Sequence, residues 1–523
     1  MPLASSDHLV IVAHPDDDLY FMQPDLREAV QSDTGVTTVY VTAGNYLYDA
    51  DAAERRYAAL RPAYGSVAGS NDWHCGRISI DGHVAEHCRL ADKPVSLVFL
   101  AYPDGGKQGE LPNSLLDLWE GTIASAQTVA YQTTSYTRDE LVATLAEIVA
   151  KTRPRTVHTL EVAATHGEDH SDHMIAGALT LLAVARTNSQ ADIISYRAYS
   201  ALTEPANKPP AILAPAFDMA SHYEACTNGC GVCGSGCTKI DDAHVDWLAR
   251  RYAVGFRRGV AGRLQIGTRC VGADLTLVAC DGAPVWRSGS AGDLRSADEH
   301  CVSVGPEGDV SLADCDGGPA QRVFLDDEGH LWSGQPPLPQ TGMAYAHLSC
   351  LAPTDAGGIR AQLCGRDAAP AWELAPTTKS TPRAALGFAA TGRDVRLGDV
   401  SGDGKADLCT VENGGLACAF GDGAGGFTVA VPVGDGLAIE PSSLTFGDVD
   451  GDHRQDACGR DHDGILCATA ARAFSASRWS PAFADAAARP GTSASLAAVD
   501  ADADGDDEIC GIDETGVVCA SQA

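Results

Sequence analysis

Residues 11–18, IVAHPDDD, join an apolar run to one histidine, one proline and three consecutive aspartates. Three adjacent carboxylates repel one another and lose hydration when they are buried, unless a positive charge offsets them. A solvated turn, or an aspartate that caps the next helix, would explain the pattern without any chemistry. A bound metal ion would explain it as well, because His14 and Asp17, three residues apart across a turn, can reach the same ion.

A second segment supplies further ligand types. Residues 165–177, THGEDHSDHMIAG, follow the apolar run TVHTLE and contain His166, His170 and His173. A catalytic zinc site needs three protein ligands and one open position for water, so we expect the third ligand to come from this segment. Ligands of open α/β sheets lie at the carboxyl ends of the strands, and the two segments should therefore converge at one sheet edge.

Strands and helices that could position these residues are predicted from residue 8 to about residue 258. The helical pattern TRDELVATLAEIVAKTRP has Thr137 as a plausible N-cap and Pro154 as its stop. Alternation of strands and helices predicts an α/β, Rossmann-like domain with a mostly parallel sheet over residues 1–258. The predicted buried strands are HLVIVA, TTVYVTAG, VSLVFLA, TVHTLE and DIISYRA.

AHPDDD and DHSDH together resemble the PIG-L deacetylase family, which includes the GlcNAc-phosphatidylinositol de-N-acetylases and the mycothiol-pathway deacetylases. The phrases FMQPD, VTAGN, AYGSVAG and YPDGG extend the likeness over about residues 1–255. The resemblance implies that His14, Asp17 and His173 bind zinc. It also implies that the reaction is amide hydrolysis on an N-acetylated amino sugar.

The same resemblance assigns the remaining site residues. Asp16 would be the general base for the attacking water, His170 would stabilise or protonate the tetrahedral intermediate, and Asp172 would orient His170. Arg56 and Asp104 fall where the family places sugar contacts, although Tyr57 stands where an acid often follows the arginine.

Asp18 departs from the common family form, which ends AHPDDE. One methylene shorter than glutamate, it can still orient His14 from behind or cap the following helix, and both roles stay open. Six other histidines lack such a context and are expected at the surface or in packing: His8, His74, His83, His87, His158 and His166.

The 18 cysteines fall into close pairs along the whole chain, which predicts disulfides and an oxidising, extracellular location. The run CTNGCGVCGSGC could be a zinc knuckle, but two small-loop disulfides fit a chain of paired cysteines better. The start MPLASSDHLV shows no secretory leader, so we expect that a leader has been removed and that Met1 is not part of the natural mature protein.

From residue 259 to residue 380, the sequence pattern changes to that of short β segments. The phrases LTLVACDGAPVW, VSLADCDGGPAQRVF and IRAQLCGRDAAPAW repeat one pattern, in which Cys270, Cys301 and Cys350 would pair with Cys280, Cys315 and Cys364. These units resemble a ricin B-type β-trefoil whose Gln-x-Trp signature is degraded, with Trp286, Trp372, Phe324 and Gln321 as its remnants. Glycan binding follows as an expectation, but we expect Trp286, Trp332 and Trp372 to be core.

Residues 381–523 contain GDVSGDGKADLC, GDVDGDHRQDAC and VDADADGDDEIC, each followed by a second cysteine. Oxygen-bearing side chains at positions 1, 3, 5 and 9 suit Ca²⁺, and no glutamate at position 12 supports an EF-hand. The phrases resemble FG-GAP/VCBS repeats, which form propeller blades, and His453 replaces a glycine in the second loop. The candidate ligands are Asp399, Ser401, Asp403 and Asp407; Asp448, Asp450, Asp452 and Asp456; Asp500, Asp502, Asp504 and Glu508.

The whole-chain composition agrees with this division. A length of 523 residues predicts about three or four domains, and no apolar stretch reaches the ~18 residues of a transmembrane segment. The formal charge of −33 disfavours nucleic acid and anionic lipid as partners.

The sequence therefore predicts a multidomain, secreted zinc N-deacetylase acting on an N-acetylated sugar or glycoconjugate, followed by all-β calcium-binding and lectin-like appendages. Two alternatives stay open. One is a carbohydrate-binding adhesion protein with an inactive deacetylase-like domain, and the other is a zinc amidase that removes a longer N-acyl chain.

Overall fold

A computed structural model describes residues 2–45, 50–335, 348–365, 371–375, 395–402, 405–421, 427–452, 454–484, 496–502, 505–513 and 516–521. The chain forms two compact units, residues 1–377 and residues 378–523. None of the described helices is both long and apolar enough to cross a bilayer.

The first part of unit 1 alternates strands and helices. Its strands are β1 (His8–Val12), β2 (Val36–Thr42), β3 (Trp73–Ile80), β4 (His83–Leu90), β5 (Val95–Tyr102), β6 (Ala126–Gln127), β7 (Ser135–Tyr136), β8 (Thr156–Leu160), β9 (Asp192–Tyr196) and β10 (Ala253–Arg257). Its helices are α1 (Asp17–Phe21), α2 (Asp25–Gln31), α3 (Ala50–Ala68), α4 (Leu115–Glu120), α5 (Arg138–Thr152), α6 (Ser171–Thr187), α7 (Pro210–Thr227) and α8 (Asp242–Leu248), with a 3₁₀ turn at Tyr199–Thr203.

The central strands are parallel and run in the order β9-β8-β1-β2-β5. Every residue of β2 and β5 is buried, as continuous apolar runs in a covered parallel sheet require. The predicted α/β domain with parallel strands is therefore confirmed. The chain leaves β1 toward β2 and β5 on one side and later returns to β8 and β9 on the other, so the topological switch point lies between β1 and β8.

Two features favour the helices: capping residues at their ends and the packing of their inner faces. Thr137 and Glu140 make a reciprocal capping box at the start of α5, and the helix ends at Thr152, two residues before Pro154. Helix α6 packs against β1 and β8, and α5 packs on α6. Gly177 permits this close approach, because a Cβ there would lie 2.4 Å from the carbonyl oxygen of Leu160.

Short strands make up the rest of unit 1. They are β11 (Val260–Ile266), β12 (Arg269–Val271), β13 (Leu277–Ala279), β14 (Trp286–Ser288), β15 (Leu294–Arg295), β16 (Cys301–Val304), β17 (Val310–Ala313), β18 (Val323–Asp326), β19 (Leu331–Ser333), β20 (Ser349–Pro353), β21 (Ile359–Leu363) and β22 (Glu373–Ala375). Strands β18–β21 extend the first sheet beyond β10, giving twelve strands, and the other eight form a separate sheet. The predicted domain boundary at residue 258 lies between β10 and β11 and stays a prediction, as does the trefoil arrangement.

Unit 2 contains three antiparallel sheets of similar design. They are formed by β23 (Arg396–Gly398), β24 (Asp407–Glu412), β25 (Gly415–Ala419) and β26 (Val431–Asp435); by β27 (Thr445–Gly447), β28 (Asp456–Asp461), β29 (Gly464–Ala468) and β30 (Ala476–Ser480); and by β31 (Ala497–Val499), β32 (Glu508–Asp513) and β33 (Gly516–Ala520). The predicted β repeats are present, and a propeller arrangement stays a prediction.

All 18 cysteines form nine disulfides. In the four-cysteine run, Cys226 pairs with Cys233 and Cys230 with Cys237. The zinc-knuckle interpretation of that run is therefore wrong, because no thiolate is left to bind a metal. The pairs predicted from spacing elsewhere in the chain are confirmed.

Candidate active site

The two His- and Asp-rich segments meet at the switch point of the sheet. His14, Asp16 and Asp17 follow β1, while His170 and His173 lie at the beginning of α6, after β8. Because β1 and β8 are neighbouring parallel strands, the segments that leave their carboxyl ends emerge side by side. The convergence expected from the sequence is therefore observed.

His14, Asp17 and His173 form a compact triad whose side chains are almost fully buried. His14 Nδ1 lies 3.1 Å from His173 Nε2 and 3.4 Å from Asp17 Oδ1, and His173 Nε2 lies 3.1 Å from Asp17 Oδ1. Ligand atoms about 2.0–2.2 Å from a tetrahedral ion lie roughly 3.3–3.6 Å from one another. The spacing of the three atoms therefore fits a zinc ion.

The electrostatics of the triad also favour a cation. Burial by itself raises the pKa of Asp17, but the imidazoles of His173 and His14 outweigh burial and hold that pKa well below its ordinary value. Burial lowers the pKa of His173, and the charges of Asp17 and Asp169 more than reverse this, raising it to about 9. The buried Asp17 charge thus demands positive charge beside it, which protons or a metal ion can supply.

Asp169 fixes the tautomer of His173. Its Oδ1 accepts a hydrogen bond of 2.8 Å from His173 Nδ1 and another of 2.7 Å from the backbone N–H of His170. With Nδ1 protonated, His173 Nε2 presents its lone pair to the triad, as a metal ligand must. The sequence analysis missed Asp169, although an aspartate four residues before a histidine at a helix start is a readable signal.

Asp172 contacts the triad with its carboxylate and His170 with its backbone. Asp172 Oδ2 accepts from the backbone N–H of Gly105 at 2.9 Å and lies 3.4 Å from His14 Nε2. The Asp172 backbone N–H donates to His170 Nδ1 at 3.1 Å. Gly105 is needed for this approach, since a Cβ there would lie 2.7 Å from Asp172 Oδ1. The side chain thus supports His14, and it is the main chain of Asp172 that orients His170.

His170 is a neutral hydrogen-bond donor. Its Nδ1 accepts from the Asp172 backbone, so the ring proton resides on Nε2. Burial, together with the positive charges of His14 and His173, holds the pKa of His170 well below its ordinary value. The ring lines the open pocket beside the triad.

Asp16 precedes the triad residue Asp17, and its carboxylate is held by two residues outside the triad. Its Oδ2 accepts one hydrogen bond from Arg56 Nη1 and one from the Tyr223 hydroxyl, each at 3.1 Å. Its side chain is 22% exposed and lines the pocket. The expected sugar contact Arg56 therefore also fixes the candidate base, and Tyr223, which the sequence analysis missed, does the same from α7.

The environment of Asp18 fits neither of the two roles considered for it, which were to orient His14 and to cap the following helix. It is fully buried and accepts hydrogen bonds from the hydroxyls of Tyr40 at 2.9 Å and Tyr64 at 2.5 Å. Burial raises its pKa to about 7. Asp18 thus anchors α1 to the sheet and to α3, and Asp16 at the N-cap position makes no side-chain capping bond.

An open cavity of about 450 Å³ extends from the triad. Arg56 and Asp104, the expected substrate contacts, both line it, together with Lys107. Asp104 Oδ1 accepts a hydrogen bond of 2.9 Å from the Gly106 backbone, which fixes the carboxylate at the pocket wall. Side chains of α7, of α8 and of the 3₁₀ turn also line the cavity.

The acidic loops of unit 2 were the second predicted metal-binding feature. The ninth-position acids Asp407, Asp456 and Glu508 are buried, and each accepts a backbone hydrogen bond from its own loop. In the second loop, Asp448, Asp450 and Asp456 bring oxygen atoms within 4.8 Å of one another. Asp399, Ser401, Asp452, Asp500 and Asp502 lie in the same loops, whereas Asp403 and Asp504 lie outside the described residues.

The tryptophans at positions 286, 332 and 372 are core residues, as expected. Trp286, Trp332 and Trp372 are 0%, 3% and 3% exposed. Trp286 Nε1 donates to the Val271 carbonyl, and Gln321 is buried and hydrogen-bonded to its own turn. These buried side chains therefore hold the β structure together.

Comparison with known proteins identifies two segments of the chain. A sequence model of the PIG-L family, described as GlcNAc-PI de-N-acetylase, matches residues 9–184, and one of an FG-GAP-like repeat matches residues 376–458. No curated protein that was compared matches the chain.

Several solved structures overlay part of the chain. The conserved protein TT1542 from Thermus thermophilus is 17% identical, with 42% of this chain and 79% of that chain covered and a TM-score of 0.26. The zinc-inhibited form of teicoplanin deacetylase Orf2 is 16% identical, with 42% and 84% covered and a TM-score of 0.26. An Agrocybe aegerita lectin, described as recognising non-reducing terminal N-acetylglucosamine, is 15% identical, with 50% and 81% covered and a TM-score of 0.22. At these scores we draw no conclusion from the overlays.

Proposed function

Residues 9–184 form a PIG-L domain, and from this premise we propose that the protein is a zinc-dependent N-deacetylase that hydrolyses the acetamide of an N-acetylated amino sugar or glycoconjugate. The observation that carries the proposal is the His14–Asp17–His173 triad. Asp169 fixes the tautomer of His173, and Asp16 lines the same pocket, where Arg56 holds it. His14, Asp17 and His173 would hold the ion.

The residues around the triad have separate tasks in this reaction. Zinc, when bound, supplies a Lewis acid that lowers the pKa of water and polarises the amide carbonyl. Asp16, oriented by Arg56 and Tyr223, accepts the proton of the attacking water and can return it to the leaving nitrogen. His170 donates from Nε2 to the carbonyl oxygen as negative charge develops there.

The test is acetate release by the zinc-loaded full chain, with zinc content measured on the same sample. The panel contains N-acetylglucosamine, N-acetylgalactosamine, chitooligosaccharides, peptidoglycan fragments and glycoconjugates. We expect release from one class, and a loss of about 10²–10⁴-fold in kcat for Asp16→Asn with zinc retained. Full activity of Asp16→Asn would exclude Asp16 as the base. No release by a zinc-loaded protein would contradict the deacetylase.

The two alternatives give different results in the same assay. A zinc amidase for longer N-acyl chains would release the longer acid from N-acylated analogues and no acetate. An adhesion protein with an inactive first domain would bind glycans without hydrolysis. The intact triad favours an enzyme over a binding protein, because a buried carboxylate and two imidazoles in ligand geometry are costly to keep without an ion.

We further propose that the loops of unit 2 bind Ca²⁺, supported by the Asp448–Asp450–Asp456 group. Ca²⁺ should raise the unfolding temperature relative to a chelator, and Asp450→Ala should remove about one bound ion by titration calorimetry. Asp435→Ala, an exposed acidic residue of β26 outside the three loops, is the matched control. An unchanged stoichiometry in Asp450→Ala would contradict this site.

Extracellular location is proposed on the nine disulfides, which persist in oxidising compartments. Glycan binding by residues 259–380 stays a prediction. Since the three tryptophans of that region are buried, other side chains would have to contact the glycan.

A further inference from the structure

The segment that leads from β8 into α6, residues 161–170, carries Asp169 and His170. One of its residues, Ala164, forms a parallel β-bridge with Gly365. The PIG-L match ends at residue 184, so this bridge joins the segment to a part of the chain that lies well beyond the match. Segment 161–170 is therefore tied at one point to the short strands that follow the catalytic domain.

Strands β18, β19 and β20 share the hydrophobic core of the catalytic domain. Phe324 of β18, Trp332 of β19 and Leu348, just before β20, are at most 3% exposed and belong to the same core cluster as residues of β1, β8 and α6. The Cys350–Cys364 disulfide lies in that core as well. Because side chains in a close-packed core do not shift independently, these strands have a fixed position relative to the site.

A buried carboxylate at the beginning of segment 161–170 joins the segment to the 3₁₀ turn. Glu161 contacts His166 Nδ1 and accepts a hydrogen bond of 3.1 Å from the Ser200 hydroxyl. The neighbour of Ser200 in that turn, Tyr199, packs edge-on against His173 with ring centroids 5.0 Å apart. A displacement of His166 would therefore disturb both the segment and a turn that packs on the triad.

Glu328, on the turn between β18 and β19, holds the other side of His166. Its Oε2 lies 2.9 Å from His166 Nε2, and its Oε1 accepts a hydrogen bond of 2.8 Å from Arg197 Nη2. Arg197 directly follows β9, the strand that pairs with β8. The carboxylate of Glu328 thus connects the strands that follow the catalytic domain with both segments that flank the site.

This arrangement depends on the negative charge of Glu328. Burial lowers the pKa of His166, but its bonds to Glu161 and Glu328 outweigh burial and raise it to about 9, so the ring is positive at neutral pH. Arg197 Nη2 also contacts His166 Nε2, and both side chains are largely buried. Without Glu328, two largely buried cations would face each other, and their repulsion would move His166.

We propose that Glu328 is a positioning residue of the deacetylase, which acts through His166 and Arg197 on segment 161–170. The inference rests on the proposed function and deepens it, because this segment carries the carboxylate that orients a zinc ligand and the histidine that donates to the substrate carbonyl. Catalytic groups must be held within about 0.5 Å of their productive positions, so a small displacement of the segment lowers kcat. The strands that follow the catalytic domain thus contribute to the active site itself.

The test compares Glu328→Gln with Asp327→Asn in the full chain. Asp327 is the matched control, because it lies on the same turn and pairs with Arg257 at 3.0 Å. We expect the backbone amides of segment 161–170 to exchange hydrogen about tenfold faster in Glu328→Gln than in the wild type, since local opening becomes easier. In Asp327→Asn the exchange of these amides should match that of the wild type.

Three further measurements distinguish positioning from a purely structural role. With Co²⁺ in place of zinc, the visible absorption of the bound ion should shift in Glu328→Gln, because the imidazole of His173 is displaced. The kcat for acetate release should fall by about tenfold while KM stays unchanged. Adding His166→Gln to Glu328→Gln should lower kcat little further, since two residues that act as one unit are not additive.

The outcomes separate the positioning role from the catalytic function. Faster exchange and a shifted Co²⁺ absorption in Glu328→Gln support positioning even if the wild type releases no acetate, in which case only the deacetylase fails. A lower unfolding temperature with unchanged exchange, absorption and kcat overturns the proposal, because Glu328 then serves stability alone. Additive losses in the double variant also overturn it. If Glu328→Gln does not fold, Glu328→Asp, which keeps the charge on a shorter side chain, takes its place, and unchanged measurements there overturn the proposal equally.

Discussion

Asp169 shows how one residue outside the ligand set determines what a ligand can do. By accepting from His173 Nδ1 at 2.8 Å, it leaves Nε2 unprotonated toward His14 and Asp17. Its Oδ2 has no hydrogen-bond partner among the described residues, so the bonds of this carboxylate to His173 Nδ1 and to the His170 backbone both use Oδ1. The triad therefore depends on a side chain that would never be assigned as a metal ligand.

Replacing Asp169 tests this dependence. We expect Asp169→Asn to weaken zinc binding by about 10–100-fold while the protein stays folded, because the orienting charge behind His173 is lost. Competition with a chromogenic chelator measures the affinity directly. Glu168→Gln, an exposed neighbour, is the control, and equal zinc affinity of Asp169→Asn and the wild type would show that His173 needs no such partner.

Among single residues, His166 has a role that its sequence context did not reveal. Its Nδ1 contacts Glu161, and its Nε2 lies 2.9 Å from Glu328 Oε2 on the turn between β18 and β19. Burial lowers the pKa of His166, but the bonds to the two glutamates outweigh burial and raise it to about 9. For Glu328, burial raises the pKa, and the bonds from His166 and Arg197 lower it to about 2.

These shifts predict a pH window for the His166–Glu328 pair. The stabilisation from His166 is complete below its ordinary pKa of 6.5 and is lost as the pH rises through about 9. The stabilisation from Glu328 is complete above its ordinary pKa of 4.5 and is lost as the pH falls toward about 2. The unfolding temperature of Glu328→Gln should therefore lie furthest below that of the wild type near pH ~5.5, and the difference should become smaller near pH ~10, where only the bond from Arg197 to Glu328 remains. A difference that is constant with pH would contradict this pairing.

At the level of elements, α5 is a helix whose beginning is encoded locally. The Thr137 hydroxyl accepts from the Glu140 backbone, and Glu140 accepts in return from the backbone N–H of Thr137. We expect Thr137→Ala to destabilise unit 1 by about 1 kcal/mol in urea unfolding, whereas Thr137→Ser should retain most of the stability. Equal loss in both variants would mean that the methyl group, and not the hydroxyl, carries the effect.

The elements that the sequence predicted share continuous apolar runs or complete caps. The five predicted strands correspond to β1, β2, β5, β8 and β9, all of which pair in parallel in a covered sheet. The hairpin β3–β4 was not predicted, because most of β3 is exposed and its residues lack an apolar pattern. Local periodicity thus detects strands that are buried on both faces and misses those at an exposed edge.

In the candidate site, too, some residues could be predicted from local sequence and others could not. His14, Asp17 and His173 could be predicted because their types and spacing are local features of two short segments. Tyr223 could not, since its contact with Asp16 joins positions 207 residues apart and no local pattern encodes it. The roles of Asp18 and of the Asp172 carboxylate likewise depend on which neighbours the folded sheet brings to them.

For the whole molecule, the disulfides replace part of the stabilisation that large cores give to larger domains. Unit 2 in particular has small hydrophobic clusters, and each of its three sheets contains one cross-strand disulfide. We expect thiol titration of the unfolded, unreduced protein to detect no thiols, and titration after reduction to detect 18. Reactive thiols before reduction would contradict the extracellular proposal.

The spacing of the disulfides also bears on how the protein is made. Seven of the nine bonds join cysteines that are consecutive among the cysteines of the chain, so each can close without competition from a cysteine that lies between its partners. Only Cys226–Cys233 and Cys230–Cys237 interleave, and there the first partner that a thiol meets is the wrong one. Correct assembly of the segment between α7 and α8, two helices that line the cavity, therefore depends on thiol–disulfide exchange, and a disulfide isomerase should raise the yield of active protein more than the yield of folded repeats.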